Sequence, residues 1–259
     1  MIRAQPNRSL APQRHEEILH RLDAEGVVFV ADVARHFDVS HETVRRDLKA
    51  LAARGALELT HGGATRLAAV ELGLARRAGR NAEAKANIGR RAAAMVADGM
   101  VVLLDAGTTT AAVAAALAGR HDLTIVTTSL PIALELCHRP GLRVQIAGGT
   151  LNPGDEASEG PEVLATLERF RFDLAFVSAG GVSPEGGVTD FTPMGAETRG
   201  RMIAVANRGY FVIDATKFGV LTPCRIPGQD RAAGILTDRA PTAELGAAVA
   251  ARGLKLIVT

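Results

Sequence analysis

The segment from Val30 to Leu51 narrows the fold of this chain more than any other. Val30 to Phe37 has the length and spacing of one short helix, and Asp38-Val39 leaves only a tight turn before Ser40. Ser40 is placed to cap a second helix through its hydroxyl. Behind it Thr43, Val44, Leu48 and Leu51 recur at helical spacing and form an inner face. The outer face then carries Arg45, Arg46 and Lys49, with Ser40, His41 and Thr43 at its start. Two short helices joined this closely, the second basic and hydroxyl-bearing, are the pattern of a helix-turn-helix that reads double-stranded DNA.

The flanking sequence extends the motif. Gln13 to Glu25 places Ile18, Leu19 and Leu22 at helical spacing and stops at Gly26, a natural C′ residue. Gly55 closes the second helix of the motif. Ala56 to Thr60 then alternates apolar and polar, and His61-Gly62-Gly63-Ala64 supplies a turn. A hairpin after a recognition helix is a wing whose tip, at His61 and Gly62, can lie along the DNA backbone. Residues 1–66 are therefore expected to form a winged helix-turn-helix domain.

Charge has to be judged locally. The formal net charge of the 259 residues is only +2, and residues 1–66 hold ten Lys/Arg against nine Asp/Glu. Arg45, Arg46, Lys49 and Arg54 nevertheless gather on one helix, and phosphate contact depends on local potential. A solvated helix face would need no such turn or wing around it. Cys137 and Cys224 are far apart, which excludes a disulfide scaffold and argues against a zinc site. Cys137 lies in an apolar helical pattern and reads as a packed core thiol. Met1 to Leu10 lacks an apolar signal-peptide core, and no apolar run approaches a membrane-spanning length. A cytoplasmic protein without membrane contact is expected.

Residues 67–84, rich in Ala, Arg and Gly, lack clear periodicity and read as a linker. Beyond them strand and helix alternate. Strand-like runs fall at Val101–Leu104, Leu123–Thr127, Leu142–Ala147, Leu174–Ser178, Phe211–Ile213, Ala233–Leu236 and Leu254–Val258. Helical patterns between them include Thr109–Leu117, Leu130–His138, Pro161–Arg169, Met202–Asn207 and Pro241–Ala251. Near-continuous apolar strands separated by helices imply a largely parallel sheet covered on both faces. Residues 85–259 are expected to form one α/β domain.

In such sheets ligands bind beyond the carboxyl ends of the strands, against helix N-termini. The first strand ends in Asp105-Ala106-Gly107-Thr108-Thr109-Thr110 and the second in Thr127-Thr128-Ser129. The third ends in Gly148-Gly149, and Lys217 follows a later strand. Glycine permits close backbone approach, hydroxyls donate and accept, and a helix N-terminus favours an anion. Each residue alone is explained by helix capping. Together they describe a pocket for a small phosphorylated sugar or polyol, with Asp105, Asp190 and Glu197 accepting bonds from its hydroxyls. Neither G-x-x-x-x-G-K-[ST] nor G-x-G-x-x-G occurs, which disfavours nucleotides, and no metal or other cofactor is expected.

From about residue 12 to the end the chain resembles the DeoR-type transcriptional regulators of sugar metabolism. The resemblance rests on Val39-Ser40…Thr43-Val44-Arg45-Arg46-Asp47-Leu48 and on Gly55…His61-Gly62-Gly63-Ala64. It continues through Asp105-x-Gly107-Thr108-Thr109, Gly148-Gly149, Gly186-Gly187 and Asp214-x-x-Lys217-Phe218-Gly219. It implies a C-terminal sensor with the fold of ribose-5-phosphate isomerase, a phosphosugar inducer and a homo-oligomer on repeated operator elements. A repressor of a sugar or polyol catabolic operon is the expectation. The chain departs from the usual pattern at Thr60, Thr128, Ser183 and Glu197-Thr198-Arg199-Gly200, where Arg199 is still expected to hold a phosphate. The competing reading is a phosphosugar isomerase, with Asp105, Asp190, Glu197 and Lys217 as its acid–base groups and an N-terminal assembly module.

Overall fold

The computed structural model describes residues 11–25, 27–53, 56–60, 62–65 and 73–259. They fall into two compact units, Met1–Leu67 and Ala68–Thr259. Gly26, Arg54, Gly55 and His61, named above for caps, charge and the wing tip, lie outside the described residues.

The first unit runs α1 (Ala11–Glu25), β1 (Val27–Phe29), α2 (Val30–Phe37), α3 (His41–Ala53), β2 (Glu58–Thr60) and β3 (Gly63–Thr65). Asp38 ends α2 in the left-handed conformation, φ 50°, which a short polar side chain tolerates. The Val39 N–H then returns to the Ala34 carbonyl at 3.1 Å, and this closes the turn. Ser40 caps α3 as expected, its Oγ accepting from the Thr43 N–H at 3.1 Å. The wing is an antiparallel three-stranded sheet in the order β1-β3-β2. Gly63 has to be glycine, because a Cβ there would lie 2.0 Å from the Val28 carbonyl oxygen on the neighbouring strand. Ile18, Leu22, Val33, Val44, Leu48, Leu51 and Leu57 form the core of this unit.

The second unit opens with α4 (Leu74–Ala78) and α5 (Ala82–Ala93), followed by β4 (Val101–Leu104), α6 (Thr108–Leu117), β5 (Leu123–Thr127), α7 (Leu130–Leu136) and β6 (Leu142–Ile146). A hairpin, β7 (Thr150–Asn152) and β8 (Ala157–Glu159), leads to α8 (Pro161–Leu167) and β9 (Phe172–Val177). Then come β10 (Gly181–Ser183), β11 (Gly187–Asp190), α9 (Pro193–Val205), β12 (Ala206–Val212), β13 (Cys224–Arg225), β14 (Gly234–Thr237), α10 (Ala243–Ala251) and β15 (Leu256–Val258). Seven strands form one sheet in the order β15-β14-β12-β9-β4-β5-β6, and every neighbouring pair is parallel. The alternation of the pleat sends Leu103, Val126, Ala175, Val177 and Phe211 into one core. It sends Val102, Leu104, Ile125, Leu174, Phe176 and Val212 into the other.

Several elements differ from the sequence reading. Helices occupy 74–78 and start again at 82, within the stretch read as linker. The buried face of α5 is Lys85, Ile88, Gly89, Ala92 and Ala93, so small residues and a lysine hide its period. Similarly, α9 starts at Pro193, well before Met202, because its buried face includes Ala196, Thr198, Arg199 and Gly200. Residues 206–207, expected at the end of that helix, begin β12 instead. Cys137, expected in the core, is exposed at the C-cap of α7. The apolar stripe of this short helix buries Ile132 and Leu136 and turns the next residue outward. Among the described residues no helix is long and apolar enough to cross a membrane.

Candidate functional site

The outward face of α3 exposes His41, Glu42, Arg45, Arg46 and Lys49. Ser40 is exposed just ahead of it, and the Thr43 hydroxyl, half-buried, lies 2.9 Å from Ser40 Oγ. Arg45 and Arg46 reach Glu42 at 3.9 and 3.6 Å, loose solvent-exposed pairs that phosphates can replace. Gly62 stands exposed at the wing turn with φ 88°.

One acid of α3 is withdrawn from this face. Asp47 is 6% exposed and bonds Arg14 of α1 through both oxygens, from Nε at 2.8 Å and Nη2 at 3.2 Å. His15 Nε2 adds a contact at 3.0 Å. The Asp directly after two arginines therefore ties α3 to α1, and the exposed face keeps a basic balance. Sequence reasoning overlooked Arg14 and His15, since a buried ion pair between helices 33 positions apart has no local signature.

In the second unit β4 is flanked by β5 on one side and β9 on the other, so chain connectivity reverses at its carboxyl end. That switch point is where open parallel sheets leave a crevice. A cavity of about 280 Å³ lies there. It draws Asp105 and Ala106 from the end of β4, Thr128 from the end of β5 and Ser158 and Glu159 from the hairpin. Asp190 ends β11, and Thr192, Thr198 and Arg199 come from the start and middle of α9.

Arg199 organises the floor. Its Nε donates to Asp105 Oδ2 at 2.8 Å and lies 3.3 Å from Ser178 Oγ, while Nη1 bonds Asp190 Oδ2. Asp105 Oδ2 also accepts from the Ser178 N–H at 3.0 Å and from its hydroxyl at 2.7 Å. Asp190 Oδ1 accepts from the Phe191 N–H at 2.6 Å. All three ionic side chains are at least nine-tenths buried. Arg199, expected to hold a phosphate, joins the two carboxylates Asp105 and Asp190.

Of the residues read from the sequence, Asp105, Thr128, Asp190 and Arg199 line the cavity. The others are not among its lining residues. Gly107 precedes α6 with φ 138°, Thr108 is half-buried and Thr109 buried in its first turn. Thr127 Oγ1 accepts from the Ser129 N–H at 3.1 Å, and Ser129 caps α7. Gly148 and Gly149 are exposed ahead of the hairpin, where a Cβ on Gly149 would meet the Glu159 carbonyl at 2.4 Å. Glu197 is exposed on α9. Lys217 Nζ sits 5.8 Å over the ring of Phe191, itself a lining residue. The sequence did not single out Asn152, Asp155, Ser158, Glu159, Thr192 or Thr198, because a short hairpin and a polar helix start carry no recognisable spacing.

Comparison with known proteins follows the same division of the chain. Residues 14–69 match the DeoR-like helix-turn-helix domain, and residues 80–239 match the DeoR C-terminal sensor domain. The chain belongs to the DeoR family. This DeoR-family protein is a DNA-binding transcriptional regulator, which removes the isomerase reading. It is 33% identical over 228 residues to the HTH-type transcriptional regulator GolR of Listeria innocua, covering 87% of this chain and 90% of that one. The glycerol-3-phosphate regulon repressor of Escherichia coli is 32% identical over 208 residues, covering 80% and 82%. Among solved structures, ribose 5-phosphate isomerase A of Methanocaldococcus jannaschii aligns with 53% of this chain and 55% of its own. The identity is 19% and the TM-score 0.39.

Proposed function

We propose that this regulator represses a sugar or polyol catabolic operon, and that a phosphorylated sugar in the cavity of its α/β unit releases it from the operator. The reading is carried by the cavity at the switch point beside β4, where hydroxyl-recognising side chains converge in a chain that also bears a DNA-reading helix. Release needs only a modest coupling, on the order of 1–3 kcal/mol between ligand site and DNA affinity. Repeated half-sites call for two reading heads, so the working form is a homo-oligomer. It acts in the cytoplasm, where operator and sugar phosphates meet. The likeness to a glycerol-3-phosphate regulon repressor supports a phosphate ester as inducer.

The experiment is fluorescence anisotropy of labelled DNA from the gene's own upstream region, with and without a panel of three- to six-carbon sugar phosphates. Salt-sensitive, sequence-selective binding that one phosphate ester reverses is the expected result. Selective binding that no ester alters would overturn the inducer. Arg46→Ala, which removes an exposed cation of α3, should weaken operator binding by about 1–3 kcal/mol while the fold stays intact by circular dichroism.

A further inference from the structure

Helix α1 turns Arg14, Ile18 and Leu22, each four residues from the last, toward the core of the first unit, and α3 adds Val44, Leu48 and Leu51 to the same core. Apolar contacts hold two helices together without fixing how one is turned against the other, because the hydrophobic effect is non-directional. Asp47 supplies a direction. Its buried carboxylate on α3 takes Arg14 Nε at 2.8 Å on Oδ2 and Arg14 Nη2 at 3.2 Å on Oδ1, and His15 Nε2 stands 3.0 Å from Oδ1. A planar guanidinium fork on a planar carboxylate is geometrically specific. Arg46 directly precedes Asp47, and Arg45 and Lys49 lie within two residues of it, all exposed. The residue that fixes the turn of α3 about its axis therefore also fixes where these cations point. Buried ion pairs can often be replaced by apolar residues of like volume without loss of stability, so stability alone does not account for this one.

We propose that Arg14 and Asp47 are positioning residues for operator recognition: their bridge sets the rotation of α3 on α1, and with it which side chains of α3 reach base edges. The pair acts through α3 and not on DNA itself. The two side chains are 10% and 8% exposed, and removing both charges leaves the net charge of the chain unchanged. Attraction to phosphates, the sequence-independent part of binding, is then kept when the bridge is removed. Base readout, which needs side chains held within hydrogen-bond reach, is lost.

The test uses the full chain carrying Arg14→Met with Asp47→Leu, beside Arg14→Lys, which keeps the charge and loses the fork. Wild-type protein first selects its preferred sequence from a pool of random duplexes. Fluorescence anisotropy then compares each protein on that sequence and on a scrambled duplex across a range of salt, with circular dichroism as the check on folding. The ratio of the two affinities should fall roughly tenfold in the double variant, about the cost of one misread base pair. Affinity for the scrambled duplex and its salt slope should stay at the wild-type values. Arg14→Lys should lose selectivity in the same direction, and it carries the same test if the double variant does not fold. An unchanged ratio in a folded variant would make the bridge purely structural. An equal loss on both duplexes with a shallower salt slope would make Arg14 a phosphate contact. Either result overturns the positioning role.

Discussion

Lys85 shows how much one side chain can be asked to do. It is 6% exposed on α5, and its Nζ donates to the carbonyls of Arg77 at 2.8 Å and Arg80 at 2.6 Å, where α4 ends. Burial pushes its amine down from 10.5 to about 8; Asp214 opposes the shift, and Arg77, Lys217 and Arg80 add to it. An unfolded chain keeps that proton until about 10.5, so between about 8 and 10.5 it holds more protons than the folded one. Stability contributed by this group therefore rises with pH across that window and is flat below it. Lys85→Met should flatten the rise, which urea denaturation of both proteins at about pH 7.5 and about pH 9.5 will show. An equal slope in the variant would assign the titration to another group.

At the scale of elements the same small residues that blur the sequence pattern set the packing. The α5–α6 crossing brings Gly89 so close to α6 that a Cβ would lie 2.4 Å from the Ala112 carbonyl oxygen. Alanine gains roughly 1 kcal/mol of helix propensity over glycine. Here the clash is with backbone, and overpacking costs about 1–3 kcal/mol, so Gly89→Ala should lower stability on balance. Gly246 of α10 is the control, since its Cβ would meet nothing nearer than 3.9 Å and alanine there should stabilise. Denaturant midpoints of the two variants should move in opposite directions. The seven parallel strands were legible because each contains apolar residues bounded by turn signals, although β12 begins earlier, in the polar stretch from Ala206. Helix α3 was legible because its capping serine and its apolar spacing agree. By contrast α5 and the first turns of α9 bury glycine, alanine and polar side chains, and no periodicity of large apolar residues survives. The cavity followed the same rule. Asp105, Thr128 and Asp190 sit at strand ends that topology makes conspicuous, while Asp155 and Glu159 come from a hairpin that only long-range packing brings to the site.

For the whole molecule, the proposed release requires that an effector in the cavity change what the DNA-reading unit does. Helix α4 is the first described helix after the wing along the chain, and it is fastened to the hairpin that walls the cavity. The Leu74 N–H donates to the Gly154 carbonyl at 2.8 Å, and Arg77 pairs with Asp155. Gly154 and Asp155 both line the cavity, so a ligand that draws on Asp155 competes with Arg77 for it. At its other end α4 is held by Lys85, so the helix is tied to the rest of its unit at both ends. A ligand that bonds Asp155 would be linked to the position of α4 through that shared carboxylate, and a linkage of this kind carries coupling only while both partners are present. Arg77→Ala removes the competition. It should leave operator affinity without ligand close to wild type and effector binding intact or tighter, while the effector releases much less DNA. Anisotropy on labelled operator across an effector titration, beside calorimetry of the effector alone, separates the two effects. Full release in Arg77→Ala would place the coupling in other contacts of the sensor. Lost release with lost effector binding would make Arg77 part of the ligand site instead of the link.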